Sequence, residues 1–94
     1  MNKIDLPEAG KAVSLAFDWD AMEALSAEYG ENYLTEISRR LVLIDPHCIR
    51  LCVDAMTSKP VDLPSLLKKL PVDDLVLRIS DAINLSLTGK RTGE

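Results

Sequence analysis

The sequence predicts a mainly α fold in one compact domain spanning residues 1–94: an N-terminal β-hairpin over 3–17, a body of about five short helices over 18–88, and a flexible tail over 89–94. Three observations support this. Apolar residues recur at every second position as far as Phe17 and at every third or fourth position after it, the periods of strand and helix. Pro, Gly and Asp-Pro steps cut the second part into runs of helix length. Ninety-four residues at 47% hydrophobic and 28% charged suffice for one modest core, and a chain of that size buries roughly 60 to 65% of its unfolded surface.

The hairpin comes first. Ile4 and Leu6 stand two apart, as do Val13, Leu15 and Phe17, with Ala12, Ser14 and Ala16 between them, and "PEAGK" supplies turn residues in Pro7 and Gly10. An isolated hairpin is marginal in water, so this one must lie on helices or pair its edge with another chain.

From Asp18 the period lengthens. Met22, Leu25 and Tyr29 share one stripe, with Gly30 as the stop. A second helix begins near Asn32, carries Leu34, Ile37, Leu41 and Ile44 on its apolar side, and places Arg39 and Arg40 late, where the helix dipole favours cations. "DPHCIRLCVDAMTS" opens with an Asp45 cap and Pro46 at the first helical position. Its wide apolar face marks it as the central helix. After "SKPV", Asp62 caps a short helix with Leu63, Leu66, Leu67 and Leu70 inward. The last helix follows Pro71, buries Leu75, Val76, Ile79, Ala82, Ile83 and Leu87, and ends at Gly89 before the mobile "KRTGE".

Composition narrows the function. Eleven basic against fifteen acidic residues give a net charge of −4, which opposes the phosphate neutralisation behind most nucleic-acid affinity. The opening "MNKIDLPEAGK" has no apolar signal region, and no run reaches the roughly 18 apolar residues of a membrane span. The expectation is a cytoplasmic protein of a bacterial host that binds neither nucleic acid nor membrane.

Chemistry-bearing residues are sparse. Cys48 and Cys52, one helical turn apart beside His47, offer at most three metal ligands, and His47 points about 100° away from Cys48 on a helix. Both Cys read as reduced core residues. His47 reads as a solvated side chain of the first turn. Asp18 and Asp20 lie two apart and do not face each other on a helix. They read as alternative helix caps: Asp18 with a Phe17/Met22 hydrophobic staple, or Asp20 with Glu23 as a capping box. Gly-rich phosphate loops, Cys-x-x-Cys pairs and Ser/His/Asp constellations are missing from the sequence. The expectation is no enzyme activity, no cofactor and no metal.

That leaves binding. Trp19 reads as a core anchor, because a chain with one Trp, two Tyr and one Phe can hardly spare its largest side chain, with a partner contact as the alternative. Val13, Leu15 and Phe17 would offer an edge strand to a partner. The pairs Arg39-Arg40, Lys68-Lys69 and Lys90-Arg91 serve the helix dipole or an acidic partner. The candidate partner-binding residues are therefore Val13, Leu15, Phe17, Trp19, Arg39 and Arg40.

The order of features resembles the small tail assembly chaperones of long-tailed phages and gene-transfer-agent tail modules. The resemblance rests on "L-x-F-x-x-x-A-M-x-x-L-x-x-x-x-G", here Leu15, Phe17, Ala21, Met22, Leu25 and Gly30, followed by a helical body and the leucine-rich lead-in "LPSLLKKLPVDDLVLRISDAINLSLTGK". It implies a non-enzymatic protein that keeps the apolar tape-measure protein soluble until tail-tube subunits assemble around it, and that forms homo-oligomers in several relatives. It also implies that a ribosomal frameshift makes a longer product in some relatives, and Gly89-Lys90 stands where such a slip would fall. The competing reading is a bacterial regulatory or antitoxin-like interaction module. A helix-turn-helix DNA binder is disfavoured, because residues 45–57 carry one Arg against two Asp.

Overall fold

The computed structural model describes residues 3–89. Strand β1 (Lys3–Asp5) runs antiparallel to β2 (Ser14–Ala16), with Ile4 opposite Leu15. The Leu6 amide donates to the Val13 carbonyl at 2.9 Å, carrying the pairing toward a 3₁₀ turn over Pro7–Ala9. Gly10 has φ 143°, where a side chain would be strained, so the turn needs Gly there. Ile4, Leu6, Val13, Leu15 and Phe17 all face the core, as the alternation predicts.

Ser14 breaks the pattern: it is buried too. The connector after the third helix lies along β2. Ser14 donates its amide to Ser58 Oγ at 3.1 Å, its carbonyl accepts the Ser58 amide at 3.0 Å, and Leu15 bridges Thr57. The edge that the sequence offered to a partner strand is thus taken by the chain itself. Val13, Leu15 and Phe17, assigned to partner binding, are core residues.

Helix α1 (Trp19–Tyr29) starts at Asp18, whose Oδ1 accepts the Ala21 amide at 2.9 Å, and stops at Gly30, with φ 80°. The Asp18 cap is the one formed. Ala21 and Leu25 are buried, but Trp19 is 71% exposed. Two residues before Ala21 and six before Leu25, it lies about 200 to 240° around the helix from them, on the far side from the core. The core-anchor reading is corrected on that ground.

A 3₁₀ turn over Gly30–Asn32 leads into α2 (Tyr33–Val42), which buries Ile37 and Leu41. The helix ends earlier than its apolar stripe suggests. Ile44 adopts φ 54°, and the Asp45 amide closes back on the Arg40 carbonyl at 3.0 Å, so the chain turns sharply and leaves Val42 and Leu43 in solvent.

Helix α3 (Pro46–Met56) has the expected Asp45 cap, bonded to the His47 amide at 3.0 Å. Its buried Cys48, Ile49, Cys52, Val53 and Met56 pack against α1, α2, β2 and the last helix. This is the central helix. Helix α4 (Leu63–Leu67) is a turn and a half long and buries Leu63 and Leu66, with Leu70 just beyond it. Leu67, expected inward, is partly exposed.

Helix α5 (Val72–Thr88) buries Leu75, Ile79, Ala82 and Ile83, and carries Asp73 and Asp74 in its first turn. Leu85 packs on the core in its last turn, whereas Leu87, expected inward, is half exposed. Gly89, at φ 77°, closes the helix by donating its amide to the Leu85 carbonyl at 2.9 Å. The tail expected after Gly89, including Lys90 of the frameshift position, lies outside the described residues.

Candidate binding surface

An open apolar groove of about 340 Å³ lies where the α2–α3 corner, α4 and the start of α5 meet. Its walls are Ile44 and Pro46 at the corner, Ile49 and Arg50 on α3, Leu63, Pro64 and Leu67 on α4, and Val72 on α5. Local sequence explains why it stays open. The left-handed turn at Ile44 swings that side chain off the α2 stripe and out to the groove. Pro64 in the first turn of α4 and Pro71 behind it keep that helix to five residues, too short to cover its neighbours. Val42 and Leu43, 79% and 65% exposed, stand at the same corner.

Arg50 is the one charged residue in the wall. It is exposed and makes no ion pair among the described residues. Lys68 and Lys69 follow Leu67 directly and are exposed as well. The groove wall is thus apolar apart from Arg50, and the sequence neighbours of its residues carry both signs, Asp45, Asp62 and Asp73 as well as the two Lys. A shallower groove of about 260 Å³ lies between α2 and α5, lined by Ser38, Leu41, Val42, Val76 and Ser80 among others.

The two arginines singled out in the sequence are engaged inside the chain. Arg40 Nη1 donates to Asp45 Oδ2 at 3.0 Å, its Nε lies 3.5 Å from Glu36 Oε2, and its guanidinium sits 5.2 Å from the centre of the Tyr29 ring. It thereby ties the end of α1, the end of α2 and the start of α3 together. The hydrogen bond from Arg40 holds the Asp45 carboxyl below its ordinary range, and Arg39, at 2.9 Å, does the same for Glu36. Arg39 remains more than half exposed, so only it, of this pair, presents charge outward.

His47 Nε2 meets Glu28 Oε1 at 3.0 Å, joining the solvent sides of α3 and α1. Its partner is thus a carboxylate. Cys48 and Cys52 are free and fully buried. Burial, and then the neighbouring Cys48, push the Cys52 thiol far up, and burial likewise raises the Tyr29 phenol, whose hydroxyl lies next to Cys48. The Cys52 sulfur is therefore protonated and inert at neutral pH. Among the described residues no three His, Cys, Asp or Glu side chains converge as metal ligands would, and no helix is long and apolar enough to cross a membrane.

Of the six candidate residues, the structure leaves Trp19 and Arg39 available to a partner. They sit on different helices, and neither lines the groove. Sequence reading missed the groove itself, having placed Ile44 and Leu67 on buried stripes. The available signal was "LPSLLKKLP", four Leu within nine residues that also hold two Pro, more apolar surface than one short helix can turn inward. No family model, curated protein or solved structure matches the chain.

Proposed function

We propose that the protein is a non-enzymatic binding protein whose groove receives an apolar helical segment of a larger protein, and that it serves as a tail assembly chaperone for the tape-measure protein of a phage or prophage. The observation that supports binding is the open apolar groove at the α2–α3 corner, with Leu67 exposed in its wall and Val42 and Leu43 exposed on the turn that leads to Ile44. Helix-in-groove recognition places a few apolar side chains of one helix face into such a surface. The choice of the tape-measure protein, with the tail-tube protein as a further partner, rests on the resemblance carried by Leu15, Phe17, Ala21, Met22, Leu25 and Gly30.

Magnitudes favour many weak contacts. A buried Leu contributes about 1.5 to 3 kcal/mol, and association costs roughly 4 to 15 kcal/mol. Three or four anchors leave little net affinity, so a long client would be held by several copies along its length. Co-expression with the tape-measure protein encoded nearby tests the reading: the client becomes soluble and co-purifies, and Leu43→Glu with Leu67→Glu abolishes this. A client equally insoluble with and without the protein refutes the chaperone; a client held equally well by the double variant refutes the groove.

A further inference from the structure

One edge of the hairpin is closed by the chain, and the other is open. In an antiparallel pair, successive residues turn their backbone groups alternately toward the partner strand and away from it. The Leu6 amide bonds to Val13 and the Ser14 backbone faces Ser58, so Ile4 and Leu15 bond to each other while Lys3 and Asp5 direct their amides and carbonyls outward from β1. Both residues are exposed, and no hydrogen bond among the described residues reaches these outward groups. Ser58 covers the corresponding edge of β2, but among the described residues β1 has no such cover.

A second groove, of about 470 Å³, lies between β1 and α5 and is lined by Ile4, Asp5, Asp74, Leu77, Arg78 and Asp81. Ile4 and Asp5 point to opposite faces of the strand, so a groove that touches both lies at its edge. Helix α5 packs under both strands and is fixed there twice: Arg78 closes on Glu8 of the hairpin turn, and the Ser86 hydroxyl donates to the Phe17 carbonyl at 2.7 Å. Asp74, Leu77, Arg78 and Asp81 share one face of α5, with the two carboxylates about 10 Å apart along the axis. Leu77, between them, is 52% exposed. The charge here is of one sign. Three carboxylates line the groove against Arg78, which Glu8 already holds, and the sequence neighbours Lys3 and Asp73 offset each other.

We infer that β1 accepts a third strand, an extended cationic segment of another protein, whose backbone pairs with Lys3 and Asp5 and whose inward side chains lie on α5. Alternate residues of an added strand face the same way. An apolar residue over Leu77, with Lys or Arg two positions to either side, therefore meets the groove's floor and its carboxylates together. A second copy paired edge to edge would instead set two acidic α5 faces side by side, which charge opposes. With three residues in β1, the contact is weak and reversible. The site is separate from the apolar groove at the α2–α3 corner, since neither Asp5 nor Asp74 lines that groove, and the inference does not depend on the tape-measure reading.

An amide-resolved NMR titration with the peptide Thr-Lys-Thr-Val-Thr-Lys-Thr tests it. The peptide binds saturably and slows hydrogen exchange at the Lys3 and Asp5 amides, while the same peptide with Glu in place of Lys does not bind. Lys3→Pro removes one outward amide and no internal hydrogen bond, and weakens binding. Asp5→Asn combined with Asp74→Asn, checked for unchanged melting, keeps the backbone edge and weakens binding roughly three- to tenfold. Absence of saturation at millimolar peptide, equal binding of the Glu peptide, Lys3 and Asp5 amides left unprotected at saturation, or a double Asn variant that binds like wild type would each overturn the proposal. Protection of those amides on concentrating the protein alone would assign the edge to a second copy and overturn it as well. The double Asn variant keeps the apolar groove, so its client-solubilising activity separates failure of this inference from failure of the chaperone reading.

Discussion

Glu8 and Arg78 are seventy residues apart in sequence and form the longest-range ion pair among the described residues. The two guanidinium nitrogens face the two carboxylate oxygens as a fork, with Nη2 to Oε2 at 2.9 Å. The side chains are only 26% and 28% exposed, so solvent screens them incompletely. An exposed pair contributes about 0.2 to 1 kcal/mol, and hydrogen bonds to charged groups about 1.5 to 3 kcal/mol. A half-sheltered fork should fall between, near 1 kcal/mol. A double-mutant cycle with Glu8→Gln and Arg78→Met, followed by urea unfolding, isolates that coupling. The hydrogen bond from Arg78 holds the Glu8 carboxyl below its ordinary value of 4.5, against an opposing contribution from desolvation. A depressed carboxyl contributes stability above its unfolded pKa and loses it as pH falls through the lower folded value. The gap between wild type and Glu8→Gln should therefore be constant from neutral pH to about pH 5 and shrink below that, toward zero once the folded carboxyl is protonated. A coupling indistinguishable from zero at pH 7, or a gap that widens in acid, would refute the assignment of this pair as the hairpin's clamp to α5.

Two further outcomes follow from local geometry. Asp18→Ala should cost about 1 kcal/mol, a fall of roughly 4 to 8 °C in Tm for a domain of this size, while Asp20→Ala, which caps nothing, costs less than half as much; equal losses in paired thermal melts would sink the cap assignment. In native buffer Cys48 and Cys52 should resist a thiol reagent and react only as fast as the protein unfolds, because both are fully buried; rapid labelling of either would show that the α3 core opens locally.

Elements with strong local signals were legible in the sequence, and tertiary compromises were not. The Asp45-Pro46 start of α3, the stops at Gly30 and Gly89 and the alternation of Val13, Leu15 and Phe17 each rest on one residue's backbone preference or on a simple period. Trp19 was misread because scarcity of aromatics argued for burial, while its angular position, visible once Asp18 is known to be the cap, argued against it. The β2 edge was misread because Ser58, which covers it, lies 44 residues away and has no local signature. Ile44 and Leu67 show the same limit. Each continues an apolar stripe in sequence, but the chain leaves the helix at one and the helix is too short at the other.

Exposed apolar residues carry meaning only through where they gather, since singly scattered ones are ordinary. Trp19, Val42, Leu43, Leu67, Leu77 and Leu87 are the large ones here. Val42 and Leu43 stand at the corner where the groove opens, and Leu67 is in its wall. Trp19 and Leu87 belong to the opposite end, where the Ser86 bond joins the last turn of α5 to the segment leading into α1. Pro64, Pro71 and the left-handed Ile44 stop the helices at one end, and the cap at Asp18 turns Trp19 outward at the other. The backbone features that terminate these helices are thus the same ones that keep apolar surface exposed at the two ends.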